Sequence, residues 1–461
     1  MDLPSALIRS LQHVKGFDEK TFTDVHQSGE QVVSIRINPF KGNGQLAMGN
    51  GQLPVPWCTY GYYLESRPSF TLDPRFHAGA YYVQEASSMF LEQVLKQSAD
   101  LSQPLKILDL CAAPGGKSTL IQSLMSKESL LVSNEVIKTR VNVLEENIIK
   151  WGAANVIVTN NDPRDLQRLA HYFDVIVIDA PCSGSGLFRK DPSAIEEWSE
   201  NNVALCSQRQ QRILSDVLPA LKEGGVLIYA TCSYSESEDE EMCDWLVEKF
   251  SVSSFRFPVD NGWGIIETES IKHKAWGYRF FPDKVRGEGF FIAAFRKGES
   301  KVDSTKLVVG KKKNKDRSRE LGAKEIEILK PYLMRPDDFF FIKKKEDVLA
   351  IPLHLENELA IIQSALYIKK AGVKMGTIIR AELIPDHELA LSSIIAPSIR
   401  TIDVDATTAL QYLRREEIKL PVTATGWFLL GYEQLPLGWI KILPNRINNY
   451  YPKAWRILNK R

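Results

Sequence analysis

The chain has 461 residues, of which 44% are hydrophobic and 25% are charged, and its formal net charge is +1. This length exceeds what one hydrophobic core supports, so we expect about two or three domains. The balanced charge neither supports nor excludes an acidic partner, and no apolar stretch approaches the roughly 20 residues of a membrane-spanning helix.

The first residues and the cysteines indicate the cellular compartment. The start, MDLPSALIRSLQHVKGFDEK, lacks the basic and apolar segments of a secretory signal. The six cysteines show no CxxC spacing, and the seven histidines form no metal-ligand pattern with them. We therefore expect a cytoplasmic protein with reduced thiols, without a metal site and without membrane association.

Residues 1–95 are predicted to form a small α/β domain. LPSALIRSLQHV has apolar residues at helical spacing, and VVSIRINP alternates like a strand that ends at proline. In YYVQEASSMFLEQVL a further helix is predicted to start near Glu85. Five polar residues here have two equally good interpretations. They contact a ligand, or they belong to an ordinary strand and an ordinary helix start. The residues are Arg36, Gln84, Glu85, Ser87 and Ser88.

Strands and helices alternate over residues 96–297, which is typical of a parallel sheet with helices on both faces. The predicted strands are KILDL, SLLVS, NVIVT, VIVI and GVLIYAT, and the predicted helices are 118–125, 136–150 and 208–221. Two closing strands, 277–281 and 289–295, are candidates for an antiparallel edge. Cys206 and Cys243 lie in helical stretches, so packing is the expected role of both.

Residues 298–320 are predicted to be a basic linker. The stretch KVDSTKLVVGKKKNKDRSRE has eight Lys/Arg and three Asp/Glu, which suits a mobile linker or an arm that contacts phosphates. Residues 321–390 have the patterning of a small α/β domain, and residues 391–461 are more β-like. Residues 445–461 carry five basic residues and no acid among Tyr450, Tyr451 and Trp455. RNA contact and a solvated basic edge with buried aromatic residues are both open interpretations of this end.

A turn rich in glycine and small residues follows the first core strand in LDLCAAPGGKSTL. It allows a cofactor to approach the backbone, and the helix start beyond it offers free N–H groups. A phosphate loop needs glycine where Cys111 stands, so that motif is excluded. Glu135, Asp162 and Asp179 end three later strands, and Glu135 stands where an acid binds ribose hydroxyls. The pattern favours S-adenosylmethionine as the cofactor.

Two cysteines follow the fourth and fifth strands, Cys182 in DAPCSGSG and Cys232 in YATCSYS. If both strands are parallel, both thiols emerge at the same rim of the sheet. Carbon 5 of cytosine is a poor nucleophile, and a thiolate that adds to carbon 6 creates an enamine that can accept a methyl group. A second group must then remove the carbon 5 proton. The pair points to cytosine-5 methylation, and two inert buried cysteines are the alternative.

The motifs CAAPGGKS, DAPCSGSG and ATCSYSESEDEE resemble the signatures of the Sun (Fmu-like) family of RNA cytosine-5 methyltransferases. SIRINP and YVQEASSM are similar to its N-terminal segment. LGWIKIL and NNYYPKAWRI resemble the end of bacterial small-subunit rRNA enzymes with a PUA-like domain. The resemblance implies a Rossmann-like class I methyltransferase core between a small N-terminal α/β domain and C-terminal α/β and PUA-like domains. It also implies S-adenosylmethionine bound by Cys111, Ala112, Ala113, Pro114, Gly115, Gly116, Lys117, Glu135, Asp162 and Asp179.

The resemblance also implies catalytic roles. Cys232 is expected to attack carbon 6, Cys182 to assist proton removal or product release, and Asp179 to lie near the cofactor and the N3/N4 edge of cytosine. Lys117 is expected near the target base. Without the resemblance Cys182 would be the nucleophile, because DNA cytosine-5 enzymes use a cysteine after proline at this strand. The expected partner is 16S rRNA within the small ribosomal subunit, and the expected state is a monomer.

Three other functions are weighed against this one. A DNA cytosine-5 methyltransferase should carry a long target-recognition insertion, and an exocyclic-amine methyltransferase should have [ND]PP[YF] where DAPC stands. A ribosome-assembly factor would not need both cysteines and the cofactor turn.

Two smaller expectations concern the neighbours of the cysteines. Residues 188–190 are predicted to line an RNA path, and Glu236–Glu241 are predicted to form the acidic first turn of a helix.

Overall fold

The computed structural model describes residues 2–42, 52–299 and 318–458, and the side chains of residues 318–320 are outside that description. Most of the predicted linker, residues 300–317, therefore lies outside the described residues. Within the described ranges, no helix combines the length and the apolar composition that crossing a bilayer requires.

The N-terminal region forms a four-stranded antiparallel sheet in the order β2-β3-β1-β4. The predicted first helix and strand are confirmed as α1 and β1. The helix predicted to start near Glu85 is confirmed with a later start, because Ser87–Phe90 form a 3-10 helical turn and the α-helix begins at Leu91. The elements are α1 (Ser5–Leu11), α2 (Glu19–Gln27), β1 (Val33–Ile37), β2 (Leu53–Pro54), β3 (Gly61–Leu64), α3 (Pro74–His77), β4 (Tyr81–Val83) and α4 (Leu91–Ser98).

The core confirms the five predicted parallel strands, in the order β9-β8-β5-β6-β7, and the antiparallel edge. The helix predicted at 208–221 starts earlier, at Glu200, because Ser199 caps it by accepting the N–H of Asn202. The elements are β5 (Lys106–Asp109), α5 (Gly116–Leu124), β6 (Leu130–Asn134), α6 (Lys138–Trp151), β7 (Val156–Thr159), β8 (Phe173–Asp179), α7 (Ser193–Glu197), α8 (Glu200–Val217), β9 (Leu221–Thr231), α9 (Glu240–Lys249), β10 (Val252–Ser254), β11 (Ile266–Glu269), β12 (Trp276–Phe280) and β13 (Phe290–Lys297).

Alternate residues of the core strands pack on opposite faces of the sheet. Leu108 and Ile176 pack with α8 and α9, whereas Ile107 and Val175 pack with α4, α5 and α6. Each such side chain that is fully buried contributes roughly 1.5–3 kcal/mol. The chain order reverses between β5 and β8, and ligands of open α/β sheets bind beyond the strand ends at such a reversal.

The C-terminal part forms a five-stranded sheet (β14-β15-β16-β18-β19) and a four-stranded sheet (β20-β21-β22-β23). One strand, β17, instead pairs antiparallel with β7 and extends the core sheet. The boundary predicted between residues 390 and 391 falls inside α12. The elements are β14 (Ser318–Glu320), α10 (Ala323–Leu329), β15 (Phe339–Lys344), β16 (Asp347–Pro352), α11 (Glu356–Ala365), β17 (Ile368–Ala371), β18 (Val373–Ile379), β19 (Glu382–Pro385), α12 (His387–Leu391), β20 (Thr401–Asp403), α13 (Ala406–Arg414), β21 (Gly426–Tyr432), β22 (Leu435–Leu443) and β23 (Arg446–Asn449).

The last sheet packs against the N-terminal sheet. Ile35 and Tyr81 share a hydrophobic cluster with Leu430, Ile440 and Tyr451. Tyr451 is fully buried there, so its ring is not available for stacking on an RNA base. For this residue the structure favours the interpretation of the basic end as an edge with buried aromatic residues.

Candidate active site

The glycine-rich turn joins β5 to α5, and side chains of α6 donate hydrogen bonds to its backbone. Gly115 has a φ of 115°, in the region that favours glycine, and α5 begins directly after it. The carbonyl oxygens of Ala113 and Pro114 accept hydrogen bonds from Arg140 Nη2 (2.7 Å) and Asn147 Nδ2 (2.8 Å). The first N–H groups of α5 have no partner within the helix, so this turn can bind a ligand through its backbone.

Two buried acids lie at the ends of the adjacent strands β5 and β6. Asp109 Oδ2 accepts the hydroxyl of Ser118 (2.6 Å), and Glu135 Oε1 accepts the N–H of Ile137 (2.9 Å). The second carboxylate oxygen of each is buried and has no hydrogen-bond partner among the described residues. Burial raises the pKa of Asp109 to about 7.

These two oxygens are acceptors that a ligand with hydroxyl or ammonium groups can satisfy. Buried polar atoms are rarely left without a partner. S-adenosylmethionine has ribose hydroxyls and an ammonium group, so the residues present fit this cofactor. Asp109 was missed by the sequence analysis, because an acid inside LDLC looks like an ordinary end of a strand.

Cys111 and Asp162 are two further residues predicted to hold the cofactor. Burial raises the pKa of the Cys111 thiol, and the carboxylates of Asp109, Glu135 and Asp179 add to this shift. Asp162 follows β7 and is half exposed, and its Oδ1 accepts the backbone N–H and the Nε of Arg164, both at 3.1 Å.

Lys117 and Asp179 form an ion pair in the crevice. Lys117 Nζ lies 2.8 Å from Asp179 Oδ2, and 5.2 Å from the ring centre of Phe290. Burial works to lower the pKa of Lys117, but Asp179 outweighs it and the pKa is raised, so the ammonium group stays charged. The Asp179 side chain is 38% exposed, and its other oxygen can therefore meet a ligand.

The two cysteines lie side by side. β8 and β9 are parallel neighbours with Asp179 opposite Ala230, and the sulfur atoms of Cys182 and Cys232 are 3.0 Å apart. The hydrogen bond with Cys232 and burial both raise the pKa of the Cys182 thiol. A side chain at Gly186 would come within 2.8 Å of the Cys232 carbonyl oxygen, so this close approach of the turns needs glycine.

The Glu236–Glu241 segment departs from the prediction. Glu240 and Glu241 do lie in the first turn of α9, but Glu238 and Asp239 are fully buried before it. Asp239 and Glu240 face the buried Arg279, and Glu238 lies between the two cysteine turns. The sequence alone shows only a run of acids, because the donors that bury them come from distant segments.

Ligand contact is one of two open interpretations of five polar residues near the N-terminal sheet, and several of the five lie inside the protein. Arg36 is 1% exposed and donates to Gln84 Oε1 (2.9 Å) and the Gly116 carbonyl oxygen (3.2 Å), so it braces the cofactor turn. Glu85 accepts the N–H groups of Ser87 and Ser88, which favours the interpretation of these residues as an ordinary helix start.

The prediction that residues 188–190 line an RNA path is wrong for Phe188 and Arg189, because both side chains are buried. Phe188 is fully buried under the N-terminal helices, and Arg189 donates to the carbonyl oxygens of Glu30 and Gly287. Of the three, Lys190 is exposed. Cys206 and Cys243 are buried in helices, as expected.

Three family models match the chain. The model described as 16S rRNA methyltransferase RsmB/F matches residues 97–296. The N-terminal domain of 16S rRNA methyltransferase RsmF matches residues 3–86, and the methyltransferase RsmF PUA domain matches residues 399–457.

Full-length relatives and a solved structure are also similar. Ribosomal RNA small subunit methyltransferase F of Shewanella woodyi is 32% identical over 443 residues, which are 91% of this chain and 89% of that protein. The enzyme of the same name from Aeromonas salmonicida is 32% identical over 416 residues, 87% of this chain and 84% of its own. The structure of a methyltransferase homolog protein from Pyrococcus horikoshii covers 64% of this chain and 100% of its own, with 27% identity and a TM-score of 0.52.

Proposed function

Because the chain belongs to the RsmB/F family of 16S rRNA methyltransferases, we propose that it methylates carbon 5 of a cytosine in 16S rRNA. The family resemblance of the motifs is confirmed, and with it the α/β methyltransferase fold and S-adenosylmethionine as the cofactor. The observation that carries the choice of carbon 5 is the 3.0 Å separation of the Cys182 and Cys232 sulfur atoms beside the cofactor turn.

Cys232 acts as the nucleophile. Its sulfur forms a bond to carbon 6 of cytosine, and the ring then has enamine character at carbon 5. S-adenosylmethionine supplies the methyl group that carbon 5 accepts. A water molecule takes the proton from carbon 5, the electrons of that C–H bond re-form the ring double bond, and the Cys232 thiolate is expelled.

Cys182 assists this release. The raised pKa of Cys182 supports its being a neutral thiol at pH 7, and a neutral thiol can donate its hydrogen to the Cys232 sulfur. Such a hydrogen bond stabilises Cys232 as a thiolate, which is both the attacking and the leaving form. The choice of Cys232 over Cys182 for the attack rests on the resemblance of the ATCS motif to the family signature.

The remaining residues hold the two substrates. Asp179 accepts a hydrogen bond from the N4 amino group, at the N3/N4 edge of cytosine, while Lys117 fixes one of the Asp179 oxygens at 2.8 Å. Cys111, Ala112, Ala113, Pro114, Gly115, Gly116, Lys117, Glu135, Asp162 and Asp179 hold the cofactor. The base must leave its stack to reach the cysteines, so the target lies in a loop or is flipped out. The PUA-like end contributes RNA binding, and the small ribosomal subunit is the proposed context.

Two cysteine variants test this function. Cys232→Ala is expected to abolish transfer of labelled methyl groups to 16S rRNA, because no adduct at carbon 6 can form. Cys182→Ala is expected to accumulate a covalent protein–RNA adduct, because release of the thiolate is impaired. Tritium incorporation measures transfer, and denaturing gels show the adduct.

The control is Cys206→Ala, a buried helical cysteine outside the site. It is expected to retain transfer without an adduct. Turnover in both active-site variants and absence of an adduct would refute the two-thiol mechanism. Bisulfite mapping of rRNA from cells with and without the gene then identifies the modified cytosine.

A further inference from the structure

Glu238 lies beneath both cysteine turns and is fully buried. Its Oε1 accepts the backbone N–H of Ser183 (2.9 Å), and its Oε2 accepts the hydroxyls of Ser183 and Ser233, both at 2.6 Å. Ser183 follows Cys182 directly, and Ser233 follows Cys232. One carboxylate therefore binds the residue next to each thiol.

The carboxylate is itself held by the core. Gln210 of α8 donates through Nε2 to Glu238 Oε1 (3.1 Å) and to the carbonyl oxygen of Pro181 (3.0 Å), the residue before Cys182. The hydroxyl of Tyr229 in β9 donates to the Glu238 carbonyl oxygen (2.7 Å). A helix and a strand of the core therefore hold Glu238 in addition to the turns that it binds.

Four donors surround the carboxylate, which suits an ionised group that only accepts hydrogen bonds. Burial raises the pKa of Glu238, and the hydrogen bonds from Ser183, Ser233 and Gln210 work to lower it. A buried carboxylate is costly unless its oxygens are satisfied. Here two of the four donors are the hydroxyls of Ser183 and Ser233.

We propose that Glu238 is a positioning residue that fixes the separation of the Cys182 and Cys232 sulfur atoms by binding Ser183 and Ser233. This inference rests on the proposed function, because it assumes that both thiols act in one reaction. Other contacts also join the turns, and they include Gly186 N–H to the Cys232 carbonyl oxygen, Tyr234 N–H to the Ser185 hydroxyl, and the Ser183 and Ser233 hydroxyls 3.3 Å apart. Glu238 differs from them because one carboxylate oxygen accepts from both serine hydroxyls at 2.6 Å. Without Glu238 the two turns lose their common acceptor, and the thiols can separate.

Variants at Glu238 test this proposal by separating methyl transfer from binding. Glu238→Ala is expected to lower the single-turnover transfer rate at saturating rRNA and cofactor by about 100-fold, the scale that a 1 Å misplacement costs. The dissociation constants for rRNA and S-adenosylmethionine are expected to stay within about twofold of wild type. Glu238→Gln keeps one acceptor oxygen, and both serine hydroxyls can rotate to accept from its amide, so we expect it to restore the rate to within about tenfold.

Serine variants test the route of the effect. Ser183→Ala and Ser233→Ala are each expected to slow transfer in the wild-type background and to add no further loss in the Glu238→Ala background, because the shared acceptor is already gone. The matched control is Glu240→Gln, which changes a buried acid two residues away that pairs with Arg279. We expect it to lower thermal stability and to leave the transfer rate within about twofold.

Three results would overturn the inference. The first is a wild-type transfer rate in folded Glu238→Gln and in both serine variants. The second is a loss of transfer rate in Glu238→Ala that is matched by an equal loss of rRNA or cofactor binding. The third is a loss of transfer rate in the serine variants that adds fully to the loss in Glu238→Ala. If Glu238→Ala does not fold, Glu238→Gln and the serine variants decide by the same criteria. A wild-type protein that transfers no methyl group to cytosine, with no adduct in Cys182→Ala, would overturn the proposed function and this inference together.

Discussion

Replacing Asp109 with asparagine should change how the stability of the protein depends on pH. Asp109 is fully buried, and burial raises its pKa from 3.8 to about 7. An acid whose pKa is raised by folding binds its proton more tightly in the folded state. The ionisation of Asp109 therefore does not lower the free energy of unfolding below pH 3.8. The free energy of unfolding falls as the pH rises above 3.8, and the loss reaches its full value above pH 7. The full cost is about 4 kcal/mol, at 1.36 kcal/mol for each pKa unit.

Asp109→Asn removes this ionisation but leaves a buried amide N–H₂ group that costs about 1–3 kcal/mol. The amide cost does not depend on pH, whereas the penalty on wild type rises by about 3 kcal/mol between pH 5 and pH 8. We therefore expect the variant to be more stable than wild type at pH 8 and to have little or no advantage at pH 5. The same variant should bind S-adenosylmethionine more weakly, because it loses an anionic acceptor in the cofactor crevice.

The assay is urea unfolding of the cofactor-free protein between pH 5 and pH 8, with the variant and wild type measured side by side. Asp162→Asn is the control. Burial works to raise the pKa of Asp162, but hydrogen bonds from Arg164 outweigh it and lower the pKa, so the stability that Asp162 contributes is already complete at pH 5. Its difference from wild type should not change with pH. A difference for Asp109→Asn that is equally constant would refute the reasoning.

Two further substitutions test how distant segments brace the core. Arg36→Met removes the hydrogen bonds to the carbonyl oxygens of Gly116 and Thr119, and should cost roughly 1.5–3 kcal/mol of stability and weaken cofactor binding. Thermal unfolding and calorimetric titration measure both effects, and wild-type values in both would contradict the expectation. Asn161→Ala removes two hydrogen bonds to the backbone of Tyr367, at 2.9 and 3.0 Å, and should speed amide exchange in β17. Unchanged protection of β17 would show that the pairing with β7 is sufficient.

The sequence alone determined the parallel core and the outline of the site. Short apolar runs and helical periodicity are local signals, so they predict the five parallel strands without any tertiary contact. The residues at the ends of parallel strands must share one rim of the sheet. This rule brought Glu135, Asp179, Cys182 and Cys232 together as candidates, and the structure places the two sulfur atoms 3.0 Å apart.

Only the tertiary structure decided which polar side chains are buried and what they bind. Arg36 looked like a possible ligand contact and is enclosed against α5, while Asp109 and Glu238 looked like ordinary acids and are fully buried in the site. The donors that make such burial possible come from segments far apart in the chain, and no local pattern records them. The pairing of β17 with β7 is of the same kind, because a strand's edge partner is selected by three-dimensional packing and not by its own sequence period.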